Sequence, residues 1–509
     1  MQKLLPLTIF FASLLTFESK AQQMLGLSSS NYAGINRMHV SPASIADSRS
    51  KFSLFISSFD VNISNNYVGY YGSESIYKVI REDLDVNDDN LQVIQNNRPK
   101  LLTASVDYRG PSFMVMLSKK HSVALSTRVR GGLNFNNVSE PIAELLRAGT
   151  TNDAMVDKVY DNNQFSMNAN VNAEIGVTYA RVMLDKGSHF LKAGATLKKV
   201  TGVYSAHFIN KDMNFKVTTR DYPAPSTDEY HNVEIQNMEA QFGYMSEDFM
   251  DGISFSKAMG WIAASDAPGN GWGADIGFTY EFRPDVEQYN YIVDGKTYQN
   301  DRKNKYKFRV SASLLDIGGV KYSHKDNIRS YTINAQNKDV NLDAFENAED
   351  PDDYAQVINK ELGNEAFDIK TEFTSGLPTA LHLDVDYKLA SKFYVNGTIF
   401  QNLRGKYAIA MRQSSLVALT PRLETKILEV ALPLSVYNNY QTFGVGAMVR
   451  VGGFFVGSDN IGGLFNIGRP YGANVYAGLS VLNLSRGKVK PAKVKKVKPV
   501  TPATPVKKA

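Results

Sequence analysis

Cysteine is absent from the 509-residue sequence, which excludes disulfide staples, thiolate metal sites, a cysteine nucleophile and a lipid-attachment cysteine. Tryptophan is scarce, at 2 residues. No apolar run approaches the roughly 20 residues that a helical membrane span needs. Catalytic signatures are missing as well: there is no Gly-x-Ser-x-Gly elbow, no His-Glu-x-x-His and no Lys-Thr-Gly. The 7 histidines, at 39, 121, 189, 207, 231, 324 and 382, stand singly, without metal-ligand spacing. These absences point away from an enzyme and from any cofactor or metal.

What is present begins with the leader. Met1-Gln2-Lys3 carries one positive charge, Leu4 to Phe17 is uncharged and apolar, and Ser19-Lys20-Ala21 ends on a small residue. That order predicts a secretory signal peptide over 1–21. The mature chain has no helix-length apolar run, so the remaining route into a membrane is a closed β-barrel. Its 27 Tyr, 27 Phe and 37 Gly supply strand and turn formers. The net charge of +5 misleads, because Arg486 to Ala509 holds nine Lys/Arg and no acid. The body is mildly acidic and shows no basic face for nucleic acid. The tail, with its Lys-Val-Lys-Pro and Thr-Pro repeats, cannot build a core and is expected to be extended and periplasmic.

Along the body, runs of about ten residues alternate apolar with small or polar side chains, the period of a strand with one apolar face. In Ser122–Arg130 one face is Val123, Leu125, Thr127 and Val129, and the other carries Ser126, Arg128 and Arg130. The same alternation flanks the turn Asp185–Ser188. Further strands are expected at 52–63, 101–108, 112–118, 165–171, 271–282, 306–322, 380–389, 393–401, 423–436, 442–451, 453–457 and 474–484. Tight turns at 119–121, 185–188, 390–392 and 438–441 alternate with long segments at 69–100, 136–163, 205–270 and 323–378. Short turns on one side and long loops on the other is the outer-membrane barrel arrangement, with the long loops extracellular. Two loops carry helix signals: Ser139-Glu140-Pro141 before Gly149, and Asp350-Pro351 before Gly363.

Several stretches invite chemistry and admit plainer readings. The glycine-rich run Gly269–Gly277 continues into a period-two strand, not a helix, and so is no phosphate loop; on a barrel strand its glycines let another group approach. Asp83–Asn90 spaces oxygens like a calcium loop but lacks the glycine and the final bidentate glutamate, and reads as an acidic surface loop. The segment 326–372, net −8, reads as a solvated outer loop. The candidate lumen residues are Arg128, Arg130, Asp275 and Asp316. Asp275 and Asp316 fall on successive strands where both carboxylates face one lumen; pairing with Arg128, Arg130 or Lys321 is the default reading, and a proton or cation site the sharper one.

An ordered set of these patterns resembles a Bacteroidota outer-membrane family, domain of unknown function 5723. The set comprises Asn36 to Asp47 with Ser41-Pro42-Ala43, the glycine-rich strand at 269–280, Leu314 to Tyr322, Leu377-Pro378-Thr379, and Val456 to Asn460. That family looks related to long-chain fatty-acid-transporter-like barrels, which also include accessory barrels of a secretion system. The resemblance implies an all-β transmembrane antiparallel barrel of about 14 strands. Ser41 stands where the transporter-like barrels usually show asparagine, and no catalytic residue carries over. The organisation expected is a signal peptide at 1–21, an amino-terminal segment at 22–50 that folds into the lumen as a plug, a barrel at 51–485 and a tail at 486–509. The location expected is the outer membrane of a Gram-negative bacterium. Two functions follow: an outer-membrane barrel that passes or holds a hydrophobic small molecule, or a non-transporting scaffold with a periplasmic or surface protein partner. A surface hydrolase is a distant third. An apolar pocket with a lateral opening favours transport, and a lumen packed solid favours scaffold.

Overall fold

The computed structural model describes residues 23–485 apart from 83–87, 150–151, 222–228, 247–266, 301–302, 325, 346–347, 349, 364–366 and 469. The expected signal peptide and tail, and most of the acidic run Asp83–Asn90, lie outside the described residues.

Alternation in the sequence becomes alternation across a wall. The strands are β1 (Ser50–Asn65), β2 (Lys100–Arg109, resuming as Ser112–Met116), β3 (His121–Val138), β4 (Val159–Lys186), β5 (His189–Asp221), β6 (Glu229–Met245), β7 (Gly269–Phe282) and β8 (Phe308–Ser323). They continue as β9 (Ile328–Val340), β10 (Phe367–Lys370, Glu372–Gly376 and Ala380–Lys388), β11 (Phe393–Asn402) and β12 (Leu416–Glu424). The last four are β13 (Leu428–Ala431, Leu434–Tyr437), β14 (Thr442–Val445, Ala447–Val451), β15 (Phe454–Ser458) and β16 (Gly472–Ser485). Neighbours pair antiparallel, and β1 closes on β16 with Phe59 opposite Ala477. The result is a barrel of about 14 strands. β6 and β9 are additional: they pair with each other and β6 with the distal half of β5, extending the sheet beyond the ring.

The burial pattern is inverted relative to a soluble protein. On β10, His382, Asp384 and Asp386 are buried while Leu383, Val385 and Tyr387 are exposed. Leu197 is 57 % exposed, Trp272 57 % and Leu419 51 %. Apolar outside and polar inside is what a lipid-facing wall requires, and closure leaves no unpaired strand edge in the hydrocarbon. Aromatics gather near the short-turn rim, where Tyr179 meets His121 and Tyr280 meets His189, each at 2.7 Å; amphipathic rings suit that interface.

Loop lengths follow the expected division with two corrections. The turn 438–441, expected with the short turns, lies at the long-loop end, because β13 runs toward that end and β14 back. Conversely 283–307 is a long connection at the short-turn end and carries a small hairpin, Asn290–Val293 with Lys296–Gln299. Strand limits also differ. The expected strand 423–436 contains the turn that divides β12 from β13, residues 165–179 belong to one continuous β4 of 28 residues, and β6 and β9 occupy stretches read as loop. Both helices form where signalled. Glu140–Ala148 (α1) starts after Ser139 and stops at Gly149, whose φ is 62°. Pro351–Leu362 (α2) is capped by Asp350, which accepts from the Asp353 amide, and stops at Gly363 with φ 83°. The α2 stripe of Ala355, Ile358 and Leu362 joins an apolar core with Phe215, Ile235 and Phe242 around the distal strands.

Candidate functional site

Polar phases of the strands converge on the lumen, and there the charges meet. Arg130, on β3, donates to Glu174 at 2.5 Å and to both Asp316 oxygens at 2.7 and 2.8 Å. Lys198, on β5, bridges Asp275 at 2.7 Å and Asp316 at 2.5 Å. The Asp316 amide donates to Asp275 Oδ1 at 2.7 Å. Three of the four sequence candidates, Arg130, Asp275 and Asp316, thus form one buried cluster. Arg128 belongs to the next one, pairing with Asp107 at 2.6 Å beside Arg109. Lys321 is not part of either: it faces outward and pairs with the exposed Glu372 at 2.8 Å. The reason is a bulge. Asp316 has φ 55°, the register slips opposite Asp275, and the strand's phase inverts beyond it, so Val320 and Tyr322 are buried and Lys321 is not.

The segment 24–47 lies inside the ring. Met24, Leu27, Ile35, Met38 and Ile45 pack with wall residues Phe55, Met114, Phe455 and Tyr476. Its polar groups are tied to wall charges at several heights. Arg37 donates to Ser28 O and Ser29 O at 2.9 and 3.0 Å and pairs with Asp384 at 3.0 Å. Asn31 accepts from Tyr306 and Arg309 at 2.8 and 2.7 Å. Ser30 donates to Glu429 at 2.7 Å, and Asp47 pairs with Arg283 at 2.9 Å. Glycine makes the docking tight: a Cβ on Gly194 would lie 2.6 Å from the Pro42 carbonyl carbon. Ser41 is fully buried, its hydroxyl 3.4 Å from that of Thr279.

A second segment, 403–415, enters from the long-loop end. The Ala410 and Arg412 amides donate to Asn168 and Asn134 of the wall at 3.0 and 3.2 Å. Between the two insertions sit the ion-pair layers. Two small cavities lie in the lumen: about 100 Å³ at the short-turn end, beside Arg37, Glu281, Arg283 and Arg309, and about 10 Å³ beside His39.

One of the wall's irregular joints is bridged by a loop side chain. Between β8 and β10 the ladder holds at Leu315–Ala380 and resumes at Gly319–Gly376, leaving 316–318 and 377–379 without regular pairing. Leu377 N donates to Gly318 O at 3.1 Å, and Arg404 reaches across with 2.6 Å bonds to Leu377 O and Gly318 O.

Residues 42–459 match the model of a family of unknown function, DUF5723. The chain belongs to that family. No curated protein matches it in sequence. Among solved structures, this DUF5723 chain is similar to the toluene transporter TbuX of Ralstonia pickettii, at 9 % identity, with 89 % of this chain and 94 % of that one covered and a TM-score of 0.36. It is similar to the toluene transporter TodX of Pseudomonas putida at 10 % identity, covering 89 % and 94 %, TM-score 0.31. A third is a FadL homologue of Pseudomonas aeruginosa, at 9 % identity, covering 87 % and 91 %, TM-score 0.26. At these values the likeness is one of barrel fold and says nothing of cargo.

Sequence reasoning on this DUF5723 chain missed several lumen partners, among them Lys198, Glu174, Asp107, Asp384, Asp386 and Arg422. Their signal was available, since each is a charge in the polar phase of a period-two strand. His207 and His382 also occupy that phase but pack against Phe373 and Phe400, at ring separations of 4.7 and 4.4 Å.

Proposed function

We propose that this chain resides in an outer membrane with its long loops outside the cell, and that it works as a closed barrel: an anchor whose distal β extension and loops form a surface for other molecules. The filled lumen carries this reading. Segment 24–47 from one end, ion-pair layers in the middle and 403–415 from the other leave no apolar path along the axis among the described residues. A hydrophobic solute moving axially would have to separate buried ion pairs, each at about 3–5 kcal/mol.

The second reading, passage of a hydrophobic molecule with 24–47 as a movable hatch, is favoured by the irregular joint between β8 and β10, where the Arg404 side chain bridges the interrupted ladder. Native purification from outer membranes in mild detergent, with mass spectrometry of proteins and lipids, separates the two. A stoichiometric protein partner without a bound apolar molecule supports the anchor. A stoichiometric fatty acid or hydrocarbon supports passage, and absence of the chain from outer membranes sinks both.

A further inference from the structure

A larger cavity lies outside the lumen. It is a groove of about 690 Å³ at the long-loop end, bounded by residues 95–99, the start of α1, the start of β4 and Lys406. That size is in the range of ligand sites. Its lining is unusual in kind: seven side chains are carboxamides, namely Gln95, Asn97, Asn137, Asn152, Asn162, Asn163 and Gln164.

The chemistry narrows the ligand. Arg98 and Lys406 face Glu140, Glu144 and Asp161, so the groove holds no excess of positive charge for an anion. Glu140 is already held by Lys100 at 2.7 Å and Glu144 by Arg147 at 2.6 Å. Tyr160 is the one aromatic ring in the lining; it stacks on Phe215 at 5.1 Å. The apolar part of the lining, Pro99, Pro141, Ala154, Met155 and Tyr160, includes no Leu, Ile or Val to grip a pure hydrocarbon, and the carboxamides around it favour a ligand that also hydrogen-bonds. A peptide adding to the backbone would need free main-chain donors, but the Asn96 and Asn97 amides are taken by Glu140 at 2.6 and 3.0 Å. What remains on offer is side-chain amide. Gln95, Asn97 and Asn162 are exposed and their side chains bond to nothing in the described residues. A carboxamide presents donors and an acceptor side by side, the complement of neighbouring hydroxyls on a sugar ring.

We propose that this groove binds a neutral, hydroxyl-rich oligosaccharide, seated on the amides of 95–97 and 162–164 with Tyr160 against a ring face. The proposal rests on the long loops facing outward, and not on the barrel being closed.

The test uses the full chain in detergent, titrated calorimetrically with maltohexaose, cellohexaose and chitohexaose, and with an acidic oligogalacturonide for contrast. At least one neutral sugar should bind saturably below about 1 mM, with the acidic one weaker. Asn162→Gly retains the backbone, whose φ is 57°, and should weaken binding about tenfold, the worth of one good hydrogen-bond pair. Gln95→Ala, on an exposed loop, should weaken it in the same direction with the fold intact. No saturable binding to any neutral sugar, or binding untouched by both variants, overturns the proposal; so does displacement of the sugar by hexaglycine at equal concentration. None of these outcomes bears on whether the barrel conducts.

Discussion

Replacing Asp316 with asparagine removes one buried charge and little else, because asparagine accepts the left-handed φ of 55° at that position. Two cations lose their shared partner together: Arg130, bound through both oxygens at 2.7 and 2.8 Å, and Lys198 at 2.5 Å. Each keeps one acid, Glu174 at 2.5 Å for Arg130 and Asp275 at 2.7 Å for Lys198. Breaking a buried pair outright costs about 3–5 kcal/mol. The amide oxygen still accepts one bond, so the expected loss is at the lower end, about 3 kcal/mol. Asp275→Asn surrenders only the Lys198 pair, since its amide oxygen still accepts from the Asp316 amide, and should cost about half as much. Lys321→Met, which breaks the exposed pair with Glu372, should leave stability unchanged. The assay is urea unfolding in lipid vesicles followed by tryptophan fluorescence. An Asp316→Asn midpoint equal to that of Lys321→Met would refute the picture of a buried, mutually satisfied cluster.

Three further outcomes follow from other parts of the molecule. Arg404→Gln removes the two 2.6 Å bonds that bridge the joint; hydrogen exchange at 317–319 and at Leu377 and Thr379 should quicken while the rest of the wall is unchanged. Leu197→Arg puts a charge on the lipid face and should cost about 2–4 kcal/mol of insertion energy, read as reduced folding into vesicles. On α1, burial raises the Glu144 carboxyl, but hydrogen bonds from Arg147 and Tyr67 outweigh it and hold it below its ordinary value; Glu140 is held down likewise by Lys100. A depressed acid contributes stability above its unfolded pKa, about 4.3, and loses it as pH falls through the lower folded value. The exchange protection factor across 140–149, corrected for the intrinsic pH dependence of amide exchange, should therefore be flat from neutral pH to about 5 and fall only below about 4.

Most of the wall was legible because period two is strict where one face meets lipid and the other a polar interior. The strands at 269–282 and 380–388 show this most plainly. Legibility ended where that condition ended. β6 and β9 lie beyond the ring, where Ile235, Ala240, Ile333 and Ala335 turn toward an apolar core, so their polarity did not mark a barrel strand. The turn 425–427 was hidden because Thr-Lys-Ile carries neither glycine nor proline. In the site, Asp275 and Asp316 were found by their polar phase on successive strands. Their partner Lys198 shares that phase but comes from a strand 118 residues away from Asp316 in sequence, and it is the pairing of β5 with β7 that brings it there. The bulge at Asp316 was equally silent, and it is what sends Lys321 outward. The dip of 403–415 into the lumen had no local signal, since its anchors are wall asparagines.

Ion conductance across a planar lipid bilayer tests the closed lumen most directly. The full chain should insert without current steps, and removal of 24–47 should produce them, because Arg37, Asn31 and Asp47 then leave their wall partners and the short-turn half empties. Steady conductance through the intact chain would contradict the closed barrel.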